Sequence, residues 1–286
     1  MRELPSPTAD VLLLEWLLTA LAPTNRTRVK QILRSGRVTV NGASVTRHDH
    51  PVRPGDKVCV TRDAPPPTAE RTGLAIVHED AQLVVIDKPS GLLTVATESE
   101  KTDTAFVRLS AHLASRRAGR PFVVHRLDRE TSGLLLFARS AEVRDELQDN
   151  WDRVTKTYLA VVEGVPDPAD GAVANYLTEG RDLRVRASRH AGPDAKHAVT
   201  RYKVRETRGR YSLVEVKLET GRKHQIRVHM AGLGCPVAGD QMYSATTDPA
   251  RRLCLHAWRL GFDHPFTSER IELESPLPAE LSRAFR

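Results

Sequence analysis

The chain has 286 residues, 40% of them hydrophobic, which suffices for a folded core and argues against wholesale disorder. Its formal net charge of +7 points to a polyanionic partner, nucleic acid before any other. No apolar run reaches the ~20 residues of a membrane span, and three cysteines exclude a fully paired disulfide framework.

From the N-terminus, Val11 to Leu21 reads as a first helix with Asp10 as its cap. The same stretch, ending Ala20-Leu21-Ala22, faintly resembles a signal peptide. Glu15 interrupts its apolar run, so the chain is expected to be cytoplasmic. A second helix starts near Asn25 or Thr27 and ends at Ser35-Gly36, with Gly36 as a left-handed terminator. Val29, Ile32 and Leu33 form its buried stripe. Arg26, Lys30 and Arg34 share another face, and no acidic residue occurs from Thr24 to His48. Val38-Thr39-Val40 followed by Asn41-Gly42 signals a tight hairpin, and Pro54-Gly55-Asp56 with Lys57-Val58-Cys59-Val60 a final turn and strand. This unit, residues 1–62, resembles the small RNA-binding module of a small-subunit ribosomal protein, of tyrosyl-tRNA synthetases and of many RNA-modifying enzymes. The resemblance implies RNA contacts by Arg26, Arg28, Lys30, Arg34 and Arg37.

Three consecutive prolines, Pro65 to Pro67, mark residues 63–72 as an extended linker to a body spanning 73–286. The body opens with the buried strand Leu83-Val84-Val85-Ile86 and the turn Lys88-Pro89-Ser90-Gly91, where Lys88 is a phosphate contact or, the better reading from local sequence, an ordinary surface lysine. Further on, the polar run His125-Arg126-Leu127-Asp128-Arg129-Glu130-Thr131-Ser132-Gly133 is flanked by Phe122-Val123-Val124 and Leu134-Leu135-Leu136-Phe137, each with the composition of a core strand. The run therefore connects two strands, where a scaffold holds side chains rigidly. Arg126 and Arg129 beside Asp128 favour its charged form, which suits a nucleophile or base; a structural ion pair is the alternative reading. Lys156 to Gly164 alternates as a strand with Lys156, Tyr158 and Ala160 on one face. Thr220-Gly221 is a turn, and after it hydrogen-bonding side chains crowd around Ile226 and Val228. Leu253 to Trp258 reads as further sheet and His264-Pro265 as a turn.

His224, His229, Cys235, Cys254 and His256 lack the paired spacing of zinc ligands, so no metal is expected. Ser132 lacks the nucleophile elbow of a serine hydrolase, no glycine-rich phosphate loop accompanies the His-Arg run, and no dinucleotide fingerprint occurs. What remains is chemistry without metal or cofactor around one aspartate, a tyrosine and arginines.

Three motifs in order give the body its resemblance to the RluA-type pseudouridine synthases: the run around Asp128, Lys156-Thr157-Tyr158, and Gly221 to His229 with Gly239-Asp240. The resemblance implies an α+β fold: a catalytic domain with a mixed, largely antiparallel sheet and a central cleft, beside the small α+β RNA-binding domain. It implies isomerisation of a specific uridine to pseudouridine in folded RNA, large-subunit rRNA or tRNA, by base flipping and without a cofactor. It makes Asp128 the essential carboxylate, acting on the sugar, on the base or on a ribose proton. Tyr158 would stack on the base and assist proton removal, and Arg227 would pair with Asp128. Arg126 would fill the space left by the flipped nucleotide, Ile226 would pack on the base, and Lys156 would support the pocket or a phosphate. Arg129, His224 and Gln225 join this substrate-binding set. The chain departs from the family at Ser244, where glycine commonly follows the tyrosine, and at Thr94 to Thr97, where a histidine is often found. A catalytically silent RNA-binding or ribosome-assembly factor on the same scaffold is the competing reading, and a monomer is expected.

Overall fold

The structure, a computed structural model, describes residues 2–34, 37–45, 47–60, 73–98 and 100–285. The expected linker, the terminator Gly36 and the side chain of Arg34 lie outside the described residues. The chain divides into two compact units near residue 71, with residues 114–118 grouped with the first.

The N-terminal unit contains strands β1 (Arg2–Glu3), β2 (Val11–Leu12), β3 (Val38–Val40), β4 (Ala43–Ser44), β5 (Pro51–Val52) and β6 (Val58–Val60), with helices α1 (Leu13–Ala20) and α2 (Arg26–Arg34). Four strands form a sheet in the order β1-β6-β3-β4, and β2 pairs with β5. That second pairing shortens α1 from its expected start at Val11. The Leu13 and Leu14 N–H groups donate to the His50 and His48 carbonyls at 2.8 and 3.2 Å, so Asp10 is not needed as a cap. In α2 the Asn25 carboxamide does cap, accepting the Arg28 N–H at 2.9 Å. Val29 and Leu33 are buried with Ile32 packed against them, while Arg26 and Arg28 are exposed and Lys30 and Arg37 are half-buried. Asn41 and Gly42 take φ of +52° and +82°, the two positive values that a two-residue hairpin turn requires. The Asn41 side chain then donates to Asp56 at 2.8 Å and accepts the Lys57 N–H at 2.9 Å, tying the hairpin to the Pro54-Gly55-Asp56 turn.

The second unit holds β7 (Ala75–Glu79), β8 (Leu83–Lys88), β9 (Phe122–Val123), β10 (Ser132–Ala138), β11 (Thr155–Glu163), β12 (Asp170–Glu179), β13 (Val185–Ser188), β14 (Lys196–Arg208), β15 (Tyr211–Leu218), β16 (Leu255–Asp263) and β17 (Arg270–Glu274). Its helices are α3 (Ala105–Ser115), α4 (Ala141–Asp149), α5 (Gln225–Gly232) and α6 (Ala279–Ala284). Among the described residues these strands form one sheet in the order β13-β12-β14-β15-β11-β16-β10-β8-β7, with β17 on β16 and β9 on β10. Its pairings are antiparallel except β10 with β16. The mixed, largely antiparallel sheet and the peripheral helices make this an α+β fold.

Strand β10 is buried at every position, as its unbroken apolar sequence requires. Leu134 and Leu136 pack with Leu83, Val85 and Phe262, and α4 covers them with Val143 and Leu147. The segment before the polar run is weaker than its sequence promised. Strand β9 is a two-residue, half-buried edge piece paired only with Phe137 and Ala138, and Val124 alone of the three is buried. No helix among the described residues is long and apolar enough to cross a membrane.

Gly133 is required where β10 meets β16. Its φ is +112°, and a Cβ there would lie 2.3 Å from the Ala257 carbonyl oxygen. Backbone strain and overpacking act together, so Gly133→Ala should lower stability by about 3 kcal/mol or more. Urea denaturation measures this, and a loss below about 1 kcal/mol would show that the strand pair can give way.

Candidate active site

Asp128 sits in the loop between β9 and β10, and that loop is fixed almost residue by residue. The Gln148 carboxamide holds the Val124 carbonyl at 2.9 Å, and the His125 Nε2 accepts the Leu136 N–H at 3.0 Å. Thr94, buried on the segment after β8, donates its hydroxyl to the Leu127 carbonyl and accepts the Leu127 N–H at 2.9 and 3.1 Å. Ser90 donates to the Glu130 carbonyl at 2.7 Å. Lys88 is fully buried, contrary to the expectation of a surface residue. Its ammonium donates to the Pro89, Leu92 and Arg129 carbonyls at 3.0, 2.7 and 3.0 Å, which uses all three of its protons. Burial pulls its pKa down to about 7. The turn after β8 and the aspartate loop thus form one hydrogen-bonded body, and the Asp128 carboxylate projects from it with its side chain 29% exposed.

The second component comes from α5, which the sequence left without an assigned element. Gln225 donates to the Val199 carbonyl and to the Thr200 hydroxyl oxygen, both at 2.9 Å. Its carbonyl oxygen accepts from the Thr220 hydroxyl and the Arg222 N–H at 2.8 and 3.0 Å. With its amide occupied at both ends and only 2% of the residue exposed, Gln225, expected among the substrate contacts, is a strut between helix and sheet. His229 extends the strut, with Nδ1 2.8 Å from the Thr200 hydroxyl and Nε2 2.9 Å from the Asn175 carboxamide oxygen. Arg227 emerges from the helix so fixed. It donates Nε–H and Nη2–H to the two oxygens of Asp240 at 2.7 and 2.8 Å, a bidentate pair with a carboxylate 1% exposed. Its remaining Nη1 reaches Asp128 Oδ2 at 3.5 Å. Burial opposes the charge on Arg227, but the hydrogen bonds and charge of Asp240 outweigh it and raise its pKa.

Tyr158 comes from β11, at the register shift opposite β16, and is buried at 8% exposure. Burial, reinforced by the charge of Asp128, drives the pKa of its phenol far above the usual value, so it is a neutral hydrogen donor at physiological pH. Lys156, two residues earlier on the same strand, lies 5.1 Å over the Trp151 ring and donates to the Trp151 carbonyl at 3.4 Å. Burial lowers its pKa. The His125 ring lies 4.9 Å from the Trp151 ring, tilted by 35°, and burial with the nearby Lys156 charge pushes its pKa down to about 3.

Of the residues expected at the site, Asp128, Arg227 and His224 converge: His224 Nε2 is 3.8 Å from the same Asp128 oxygen that Arg227 approaches. Ile226 is buried in α5. Arg126 and Arg129 flank Asp128 in sequence but are exposed, and no ion pair joins either to it among the described residues. The guanidinium beside the carboxylate is therefore the distant Arg227, which replaces the local charge argument made from Arg126 and Arg129. Arg26, Arg28, Lys30 and Arg37 belong to the N-terminal unit. Sequence reasoning assigned no role to Asp240, Thr94 or Tyr243. The Gly239-Asp240 pair carried one signal: Gly239 has φ +83° and a Cβ there would lie 2.2 Å from the Arg252 carbonyl oxygen, so only glycine brings Asp240 into place. Ser244 takes φ +71°, which accounts for the glycine common in the family at that position.

The neutral histidines give the fold a pH dependence with a definite sign. Burial pushes the pKa of His229 down to about 4, from 6.5 in an unfolded chain. Between these values the unfolded state binds the extra proton. The stabilisation is complete above pH 6.5 and is lost as the pH falls toward 4, by up to ~3 kcal/mol. Urea midpoints measured from pH 7.5 to 4.5 should fall accordingly, and His229→Gln should flatten the slope; an equal slope in both proteins would contradict this assignment.

Residues 82–232 match the family model described as RNA pseudouridylate synthase, and residues 13–58 match that of the S4 domain. The uncharacterized RNA pseudouridine synthase YlyB of Bacillus subtilis is 39% identical over 268 residues, covering 90% of this chain and 88% of the relative. The ribosomal large subunit pseudouridine synthase D of Neisseria meningitidis is 34% identical over 292 residues, covering 94% of this chain and 76% of the relative. Among solved structures, human RNA pseudouridylate synthase domain containing 4 aligns with a TM-score of 0.62 at 28% identity, covering 73% of this chain and 91% of that one. The chain belongs to the RNA pseudouridine synthase family, as an RluA-type enzyme with an N-terminal S4 domain.

Proposed function

We propose that this synthase converts one or more uridines of large-subunit rRNA to pseudouridine by flipping the nucleotide from its stack and acting on it with Asp128. The observation that carries the reading is the convergence on one carboxylate. Asp128 projects from a rigid loop, and one of its oxygens faces an arginine that a second, buried carboxylate holds in place. The preorganisation is of the kind that charge development in a transition state exploits. Tyr158 supplies an aromatic face and a neutral phenol for the base, and the buried Ile226 an apolar wall. Arg126, exposed at the loop edge, enters the space the nucleotide leaves, and Arg129 meets the backbone beside it. Lys156 acts through Trp151, holding the wall of the pocket. Confinement by these groups keeps the detached base in place until it rejoins through carbon 5.

Support for large-subunit rRNA comes from relatives bearing that substrate in their names, in Neisseria meningitidis and, at 32% identity, in Vibrio cholerae. In this reading Arg26, Arg28, Lys30, Arg34 and Arg37 of the S4 domain contact phosphates of the same folded RNA, which positions it without reading sequence. The working form is a cytoplasmic monomer. Tritium release from carbon-5-labelled transcripts tests the substrate: release from large-subunit rRNA and none from tRNA is expected, and the reverse pattern would overturn the assignment.

A further inference from the structure

The third motif leaves one relay unexplained by its strut and its arginine. His224 stands at the start of α5 with φ +54°, a conformation a non-glycine residue adopts only when its surroundings hold it there. Its Nδ1 lies 2.8 Å from the Tyr243 hydroxyl oxygen, and that same oxygen accepts the Val185 N–H at 3.0 Å. Tyr243 is buried, its ring edge-on to His224 at 5.7 Å between centroids, with the Arg227 guanidinium 5.0 Å from its centre.

A phenol has one proton. With Val185 donating to the oxygen, that proton has a single acceptor available among the described residues, the Nδ1 of His224. The alternative, in which His224 donates from Nδ1, would leave a buried hydroxyl proton without a partner, at about 1–3 kcal/mol. The imidazole is therefore the Nε2–H tautomer, and Nε2 is the atom that faces Asp128 Oδ2 at 3.8 Å. Arg227 Nη1 faces the same oxygen at 3.5 Å. No hydrogen bond or ion pair to Asp128 Oδ1 occurs among the described residues.

We propose that Tyr243 and His224 form a relay in which the phenol fixes the imidazole tautomer and the Nε2–H joins Arg227 in holding one oxygen of Asp128, so that the other oxygen is the one that meets the nucleotide. His224 is then a positioning residue of the reaction and Tyr243 its orienter. The inference rests on the reading of Asp128 as the catalytic carboxylate. The charged groups facing His224 are Asp128 and Asp240 on the acidic side and Arg227 and Lys223 on the basic side. Burial lowers the pKa of the ring, which keeps it neutral and single-tautomer above its titration.

Long-range proton–nitrogen correlation spectra of the histidine rings, assigned by loss of a signal in His224→Gln, test the first half without any substrate. The wild-type ring should carry its proton on Nε2, and Tyr243→Phe should abolish that preference. A proton on Nδ1 in the wild type would overturn the relay. The second half is tested by turnover of carbon-5-tritiated large-subunit rRNA. His224→Gln places an amide N–H near the ε position and should stay within about 5-fold of wild-type kcat. His224→Asn, with its donor at the δ position, should fall about 10- to 100-fold in kcat with KM unchanged. A purely structural role would lower the stability of both variants and leave the kcat of the folded fraction alike, and wild-type kcat in His224→Asn would refute positioning. Full turnover by Asp128→Asn would instead overturn the reading of Asp128, whatever the spectra show.

Discussion

Asp128→Asn is expected to lower kcat by at least about 10³-fold while leaving the affinity for RNA within about twofold. The substitution changes no volume, and the loop that carries the side chain is held through its backbone by Lys88, Thr94 and Ser90, so the cradle survives. What disappears is the negative charge that the Arg227 guanidinium and the His224 ring converge on. Stability should change by less than about 1 kcal/mol, because the carboxylate is partly exposed and its contacts at 3.5 and 3.8 Å are long. Single-turnover tritium release and an equilibrium binding assay on the same RNA separate the two effects. A parallel loss of binding and turnover would mean that Asp128 serves the RNA interface instead of the chemistry.

Asp240→Ala should damage both stability and activity. The pair it forms with Arg227 is bidentate and nearly inaccessible, and removing one partner leaves a guanidinium buried without its counter-charge, at about 3–5 kcal/mol. The freed Arg227 side chain would no longer be aimed at Asp128, and a misplacement of this kind costs about 100-fold in turnover. Chemical denaturation and kcat on the folded fraction check the two components. Wild-type kcat in a destabilised protein would show that Arg227 finds its position without Asp240. The contrast with Asp128→Asn is diagnostic: one variant loses chemistry in a stable fold, the other loses the support beneath it.

Which parts of this arrangement could be read from sequence follows from how locally each is encoded. The second S4 helix was legible because Asn25 caps it and Val29 and Leu33 keep a helical period. The hairpin was legible because Asn41-Gly42 is a turn that few other residues can make. Strand β10 announced itself as an unbroken apolar run between polar segments. By contrast, α5 carries Ile226, Val228 and Met230 in alternation, which mimics a strand; its helical nature depends on Gln225 and His229 being buried as hydrogen-bonding struts. Strand β14 was hard to read because it buries little beyond Ala198, Thr200 and Tyr202 beneath a charged outer face, a weak apolar signal spread over 13 residues, whereas β15, which buries Ser212, Val214, Val216 and Leu218 in alternation, carried a strand signal that went unread.

At the site, motif resemblance picked out Asp128 and Arg227, residues that lie 99 positions apart in sequence. Local charge reasoning failed there: Arg126 and Arg129 adjoin Asp128 in the chain, but a loop tethered through its own carbonyls turns both outward. Lys88 was misread for a related reason. A lysine at the end of a strand is ordinarily solvated, and only the folded turn shows three carbonyls gathered around its ammonium. Tertiary burial decides such cases, and no window of sequence contains it.

The most direct test of the central claim is a map of pseudouridines in large-subunit rRNA from cells lacking this protein, complemented with the wild-type gene or with Asp128→Asn. At least one uridine should be isomerised with the wild type and stay unmodified with the variant, at equal protein levels. Restoration of every site by the variant, or an unchanged rRNA map when the protein is absent, would contradict the account.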